Sequence, residues 1–149
     1  MKNNTNIENG TSSTPPFGGR GGLFTKIVNG EIPSYKIAEN ERYYAFLDIN
    51  PIVKGHTLVI PKQETDYIFD LDDETLSGLH LFAKRVARAV EKVVPCKRIA
   101  MAVLGLEVPH AHIHLLPVNK EADASITSPK QTFPAEEMQK IAEKIRSNF

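Results

Sequence analysis

Three histidines of this chain alternate with apolar residues within one short segment. His110, His112 and His114 are separated by Ala111 and Ile113, and the chain has five histidines in total. An imidazole can act as a nucleophile, a general base or a metal ligand near neutral pH. Because alternate side chains of a β-strand share one face, these imidazoles would lie roughly 6.6–7 Å apart along one surface. The spacing therefore predicts a strand with a core on one side and three histidines on the other.

Three interpretations of this histidine cluster remain open when spacing is the only evidence. The histidines could handle phosphate esters, with one attacking phosphorus while its neighbours bind the oxygens. His110 and His112 could instead chelate zinc, since a His-x-His pair on a strand can reach one ion. They could also be solvated strand residues, although three of five histidines in one alternating run is a rare arrangement by chance. The spacing does not separate phosphoryl chemistry from metal binding.

The composition is that of one ordinary globular domain of 149 residues. Lys and Arg total 18 and Asp and Glu total 18, so the chain has no global attraction to nucleic acid or an anionic membrane, and we expect neither as a partner. The single cysteine, Cys96, cannot form an internal disulfide, which fits a reducing compartment. No apolar run approaches the ~18–20 residues of a membrane span, and no secretory signal is seen, so we expect a cytoplasmic location.

The first 22 residues differ in composition from the rest of the chain. They are rich in Asn, Thr, Ser, Gly and Pro and nearly free of large apolar groups. Such a segment cannot bury enough surface to offset its ordering entropy. We predict a disordered N-terminal extension over residues 1–22 and one folded domain over residues 23–149.

Hydrophobic periodicity predicts the elements of the folded part. An apolar stripe from Leu76 to Val93 recurs at alternating three and four residues, which indicates one long helix that Pro95 ends. Strands in runs joined by short turns favour an α+β fold with an antiparallel sheet of about five strands, one long helix and one C-terminal helix. The predicted elements are a helix over 23–28, strands over 35–38, 43–47 and 56–60, a helix from 72 or 73 to about 94, strands over 98–104 and 111–118, and a helix from about 134.

The histidine cluster and several segments before it resemble a known family. His110-Ala111-His112-Ile113-His114-Leu115-Leu116 is similar to the His-x-His-x-His-x-x motif of the histidine-triad (HIT) family of nucleotide hydrolases and transferases. Phe24–Ser34 resembles the N-terminal signature of that family, and Phe46–Pro51 and Lys54–Lys62 resemble its nucleoside-binding strands. The matches follow the family's order and are similar to its Hint-like branch of small homodimeric proteins. The resemblance implies the HIT fold and a homodimer.

The resemblance also implies a chemical role for each histidine near the phosphate. His112 matches the nucleophile that attacks the α-phosphorus, which gives a nucleotidyl-histidine that water then hydrolyses. His114 and His56 match the histidines that donate hydrogen bonds to the non-bridging oxygens as charge builds. His110 matches a supporting position behind the nucleophile. No metal and no cofactor are required in this scheme.

A nucleoside site is implied in the same way. Asp48 matches the residue that accepts hydrogen bonds from both ribose hydroxyls, although the residue pattern alone favours a turn before Asn50-Pro51. We expect a purine nucleotide as the ligand, as a conjugate of AMP or GMP, and core packing is the alternative for each apolar residue of its base slot. The residues expected to form that slot are Phe24, Ile27, Phe46 and Ile49.

The sequence departs from the family's common pattern just before the histidine cluster. Many members have Gly-Gln-Ser or Gly-Gln-Thr there, whereas this chain has Gly105-Leu106-Glu107. The hydroxyl that helps to protonate the leaving amine is therefore missing, and Glu107 could serve as the acid if protonated or could repel the substrate. The leading hypothesis is a hydrolase of purine nucleoside phosphoramidates or dinucleoside polyphosphates. The alternative is a nucleotide-binding or interaction module with little catalytic activity.

Overall fold

The computed structural model describes residues 21–149. The predicted disordered extension over residues 1–22 lies outside the described residues, except for Gly21 and Gly22. The backbone N–H of Gly22 donates to the Glu64 side chain at 3.0 Å, and Gly22 is the N-cap of the first helix. This contact therefore holds the beginning of the first helix against the Glu64 side chain.

The described chain forms three α-helices, five strands and two 3-10 turns. The 3-10 turns span Ile68–Asp70 and Glu121–Ala124. The helices and strands are α1 (Leu23–Val28), β1 (Tyr35–Glu39), β2 (Tyr43–Leu47), β3 (Thr57–Pro61), α2 (Asp73–Glu91), β4 (Arg98–Ala102), β5 (Ile113–Val118) and α3 (Ala135–Ser147).

The five strands form one sheet in the order β1-β2-β3-β5-β4, and all four neighbouring pairs are antiparallel. The strand β5 lies between β3 and β4 because α2 carries the chain from β3 to the far edge before β5 returns. This arrangement confirms the predicted α+β fold with a five-stranded antiparallel sheet, a long helix and a C-terminal helix.

The two faces of the sheet carry separate apolar clusters. Because strand side chains alternate, β2 and β3 supply residues to both faces. On one face, α2 and α3 pack against Ala45, Leu47 and Val59 in the larger core. On the other face, the short helix α1 covers a smaller apolar cluster. The buried members of this cluster are Phe24, Ile27, Tyr44, Phe46, Leu58 and Ile60. The short helix thus lies over the face on which the predicted base slot must form.

The long helix begins where the sequence suggests and ends earlier than predicted. The Asp72 side chain accepts a hydrogen bond from the backbone N–H of Thr75 at 2.7 Å, which caps the helix. The helix ends at Glu91 rather than near Val94. Because the residue before a proline disfavours helical backbone angles, Pro95 disfavours a helical conformation at Val94. None of the helices within residues 21–149 is both long and apolar enough to cross a membrane.

Two strand predictions are too long at the ends that flank the histidine cluster. The strand β4 ends at Ala102 instead of residue 104, and β5 begins at Ile113 instead of Ala111. The N–H of Ala111 donates to the carbonyl of Thr65 at 2.7 Å rather than to a neighbouring strand. This bond draws residues 110–112 away from the ladder, so the cluster straddles the beginning of β5.

Candidate active site

The histidine cluster does not form one solvated strand face. Of the three, His114 alone lies in β5, and His110 and His112 lie in the extended segment before it. The exposed fractions are 1% for His110 and 6% for His112. The interpretation as solvated strand residues is therefore wrong, and so is the expected row of three imidazoles on an outer face. The fifth histidine, His80, lies in α2 and contacts the Leu76 carbonyl at 2.9 Å.

The ring of His112 is held in one tautomer by the main chain. Its Nδ1 lies 2.7 Å from the carbonyl oxygen of His110, and a carbonyl can only accept a hydrogen bond. Nδ1 therefore carries the proton, and Nε2 carries the free lone pair of a nucleophile. The ring of Phe24 packs edge-on against this imidazole at a centroid distance of 5.2 Å, which fixes its plane.

A second chain of hydrogen bonds fixes the protons on His56 and His114. The N–H of Ile52 donates to His56 Nδ1 at 3.2 Å, so the proton of a neutral His56 must be on Nε2. His56 Nε2 lies 2.9 Å from His114 Nδ1 and donates to it. His114 is consequently protonated on Nε2, which gives it a hydrogen-bond donor for an anionic ligand.

Burial keeps all four of these histidines neutral near pH 7. Desolvation lowers the pKa of His56 to about 3 and that of His114 to about 4, and neighbouring positive charge adds to both effects. Burial also lowers the pKa of His110 and of His112, against the opposing effect of a carbonyl that accepts from each ring. The cluster therefore combines a neutral His112, whose Nε2 has a free lone pair, with a neutral hydrogen-bond donor on His114.

His110 lies behind His112 and is not part of the cavity wall. Its Nε2 donates to the carbonyl of Pro61 at 2.8 Å, and its own carbonyl accepts from His112. Its Nδ1 is buried and has no hydrogen-bond partner within residues 21–149. The residue thus anchors the carbonyl that orients His112 to the end of β3, which matches a supporting role.

A cavity of about 550 Å³ opens over the free face of His112. Its volume lies in the range of small-molecule sites, and its wall is mostly apolar with a few polar groups. The wall brings together every site residue expected from the sequence except His110. Those residues are Phe24, Ile27, Phe46, Asp48, Ile49, His56, Glu107, His112 and His114.

Asp48 is both a turn residue and part of the cavity wall. Its Oδ1 accepts the N–H of Asn50 at 2.9 Å, as expected for a turn, and its Oδ2 lies 3.7 Å from His56 Nε2. Burial raises the pKa of this carboxyl, and the nearby positive charge of Lys130 opposes the change. The two interpretations that the sequence left open for Asp48 are therefore compatible.

The other wall residues differ in how firmly they are packed. Phe24, Ile27 and Phe46 are buried in the small apolar cluster, so they both pack and line the cavity. Ile49 is 65% exposed and can contact a ligand only from the rim. Glu107 is exposed on the same wall, close enough to His112 for its carboxylate to influence that imidazole.

His110 and His112, the pair expected to chelate zinc, are not the residues whose ligand atoms lie close enough together to share an ion. Within residues 21–149, Asp48, His56 and His114 are the group whose ligand atoms lie within 4.8 Å of one another, and His110 and His112 are not part of it. A neutral histidine that binds zinc through Nε2 donates from Nδ1. His56 Nδ1 instead accepts the N–H of Ile52, so an ion on His56 would break that hydrogen bond. The donor set in this arrangement does not fit a metal.

Several wall residues were missed by the reasoning from sequence. Ile126, Thr127 and Lys130 come from the irregular segment between the second 3-10 turn and α3. No periodicity or motif marks this segment, because its position depends on contacts with a distant loop. The side chain and backbone of Gln131 make those contacts, to the carbonyls of Ile52 and Pro51.

Known proteins share both the sequence pattern and the fold. The sequence profile of the HIT domain matches residues 29–121. An adenosine 5'-monophosphoramidase of Schizosaccharomyces pombe is 35% identical over 133 residues, which is 85% of this chain and 97% of the relative.

Two solved structures extend the comparison to the fold. A Hit-like protein from Bartonella henselae is 32% identical, with a TM-score of 0.74 over 85% of this chain and 94% of that one. A zinc-bound histidine triad family protein from Mycobacterium smegmatis is 29% identical, with a TM-score of 0.72 over 84% of this chain and 90% of that one. The chain belongs to the histidine-triad (HIT) family, in its Hint-like branch.

Proposed function

We propose that this protein cleaves purine nucleotide conjugates at the α-phosphate through a nucleotidyl intermediate on His112. The observation that carries the proposal is the hydrogen bond from His112 Nδ1 to the His110 carbonyl, which leaves Nε2 unprotonated in the cavity. Membership of a family of nucleotide hydrolases supports the general activity. The nucleophile, the intermediate and the substrate are the parts that remain to be tested.

The reaction would proceed in two displacements at one phosphorus atom. His112 Nε2 attacks phosphorus, the bond from phosphorus to the leaving group breaks, and the leaving group takes a proton. Water then attacks the same phosphorus, the phosphorus–nitrogen bond to His112 breaks, and nucleoside monophosphate is released. The Nε2–H of His114 would stabilise the negative charge that develops on the non-bridging oxygens. His56 would act through His114 instead of donating to the oxygens as the family resemblance implies, because its one N–H donates to His114 Nδ1 and its own Nδ1 accepts from Ile52. Glu107 would supply the proton to the leaving group when it is itself protonated.

The nucleoside would occupy the apolar end of the cavity. Asp48 Oδ2 makes no hydrogen bond within the part of the chain that the structure describes, so this oxygen is available to a ribose hydroxyl. Phe24, Phe46 and Ile27 would contact the base, and Ile49 would cover it from the rim. The name of the fission-yeast relative favours an adenosine phosphoramidate over a dinucleoside polyphosphate as the substrate.

Replacement of the nucleophile tests this proposal. In His112→Ala, the hydrolysis of an adenosine phosphoramidate should fall by at least about 1,000-fold, as when other catalytic nucleophiles are removed, while AMP still binds. His80→Ala is the matched control, since His80 lies in α2 and outside the cavity wall. Turnover of His112→Ala at the wild-type rate would show that His112 is not the nucleophile.

A second candidate function is nucleotide binding with little catalysis, and Glu107 is the observation that favours it. Its exposed carboxylate lies on the cavity wall, where it adds to the negative charge of Asp48 and could repel an anionic substrate. Calorimetry that detects AMP binding without turnover of phosphoramidates or dinucleotides would support this function. Recovery of activity in Glu107→Ser would identify the carboxylate as the cause.

We also propose that the protein is a homodimer that associates through the β4 edge of the sheet. Among the described residues, exposed apolar side chains are concentrated at and after this strand, at Met101, Val103, Leu104 and Leu106. An edge strand with unpaired backbone groups and apolar neighbours can pair with a second copy of itself. The family resemblance supports the same oligomeric state.

A further inference from the structure

The segment between the second 3-10 turn and α3 forms one wall of the cavity. Ile126, Thr127 and Lys130 line the cavity from this side. They follow residue 121, at which the match to the HIT domain ends. This wall is therefore a part of the site that the shared motif does not describe.

Gln131 fixes this segment to the loop that carries the phosphate-side histidine. Its N–H donates to the Pro51 carbonyl at 2.7 Å, and its side-chain amide donates to the Ile52 carbonyl at 3.0 Å. The N–H of Ile52 in turn donates to His56. Lys130, which precedes Gln131, is consequently placed relative to His56 by a short chain of hydrogen bonds.

The cavity wall carries more acidic than basic side chains. Among residues 21–149, Lys130 is the one lysine or arginine in the cavity wall, whereas Asp48 and Glu107 are the two acidic residues there. The four histidines of the site are neutral near pH 7 because burial lowers the pKa of each. A nucleotide would therefore meet hydrogen-bond donors without full charge, two carboxylates and one ammonium group.

Lys130 lies close to the phosphate-side groups. Its charge contributes to the lowered pKa of His56 and of His114 and acts against the raised pKa of Asp48. It forms no ion pair within residues 21–149. An ammonium group with these neighbours is placed to meet an anion that accepts a hydrogen bond from His114 Nε2.

We propose that Lys130 binds the non-bridging oxygens of the α-phosphate and supplies the positive charge that the neutral histidines do not. The inference rests on the proposed function, because that function places the α-phosphate beside His112 and His114. It makes Lys130 a specificity residue that distinguishes a phosphorylated nucleoside from a free one. His114, oriented by His56, then supplies a directional hydrogen bond, whereas Lys130 supplies charge complementarity.

Calorimetry with AMP and with adenosine tests this assignment without any need for turnover. In Lys130→Met, the affinity for AMP should fall about tenfold, as expected for one partly screened charge-assisted contact, and that for adenosine should change less than twofold. Lys130→Glu should weaken AMP binding further. Lys92→Met is the control, since Lys92 is an exposed lysine just after α2 and outside this cavity.

Salt provides a second measurement on the same variants. The AMP affinity of the wild-type protein should fall as ionic strength rises, and Lys130→Met should lose most of that dependence. Unchanged AMP binding in Lys130→Met, or equal losses for AMP and adenosine, would overturn the assignment of Lys130. A wild-type protein that does not bind AMP would overturn the proposed function itself, and with it this inference.

Discussion

The position of one proton on His112 determines whether that residue can act as a nucleophile. The His110 carbonyl holds the proton on Nδ1, and burial lowers the pKa so that Nε2 stays unprotonated at neutral pH. The same burial would weaken the binding of an anion, because neutral histidines attract phosphate less strongly than charged ones. The Nε2–H donor of His114, which His56 holds in place, and the charge of Lys130 would offset that loss.

The pH dependence of kcat/KM should reflect this lowered pKa. The proposed mechanism requires neutral His112, so activity should be lost on the acid side as that residue becomes protonated. Because the pKa lies below the ordinary 6.5, activity should be retained at pH 6.5 and should decline only at lower pH. Initial rates between pH 5 and 9 in buffers of constant ionic strength measure this, and an acid-side midpoint at or above pH 7 would contradict it.

The loop between β2 and β3 carries Asp48, the residue proposed to meet the ribose, and His56, which orients His114. The N–H of Asp48 donates to the carbonyl of His56 at 2.9 Å, which closes the loop at its base. Gly55 stands next to His56 with a φ of 87°, in the left-handed region that favours glycine. A Cβ on Gly55 would lie 2.8 Å from a methyl carbon of Val94, so the core also restricts this position.

Substitution of Gly55 should therefore impair both stability and activity. Gly55→Ala should lower the free energy of unfolding by about 2–4 kcal/mol, since the left-handed backbone cost adds to overpacking. Gly30→Ala is the matched control, because Gly30 has a φ of 81° and no atom within 4 Å of an added Cβ. It should cost only about 1–2 kcal/mol, from the backbone alone. Equal losses in urea unfolding would show that the contact with Val94 does not matter.

The two edges of the sheet differ in how they are covered. At the β1 edge, the Arg146 side chain of α3 donates to the carbonyl of Lys36. At the β4 edge, Met101 and Val103 remain exposed, and Leu104 just beyond them also lines the cavity. An association of two copies at β4 would bury apolar surface and stiffen the wall next to the nucleophile.

A charged edge should separate the proposed dimer. The double variant Met101→Lys, Val103→Lys should have half the wild-type molar mass in size-exclusion chromatography with light scattering, because burial of two ammonium groups is unfavourable. Leu81→Lys, at a more exposed position on α2, is the control and should remain a dimer. A wild-type monomer would refute dimerisation, and a dimer broken only by Leu81→Lys would place the interface elsewhere.

The sequence predicts those parts of the molecule that depend on local pattern. The apolar runs of β2 and β3 and the stripe of α2 could be found without a structure, and the family resemblance points to cavity residues such as Phe46 and His112. The burial of His110 could not, since it results from the bond that draws Ala111 to Thr65. Lys130 could not be found either, because a contact across 79 residues, from Gln131 to Ile52, places its segment.

Mass spectrometry of protein quenched during turnover of an adenosine phosphoramidate tests the role of His112 most directly. A quench in alkaline denaturant should preserve the acid-labile phosphorus–nitrogen bond of the intermediate. We predict an adduct of one nucleoside monophosphate on the peptide that contains His112, and none in His112→Ala. An adduct on any other residue, or the same labelling in His112→Ala, would contradict the proposed mechanism.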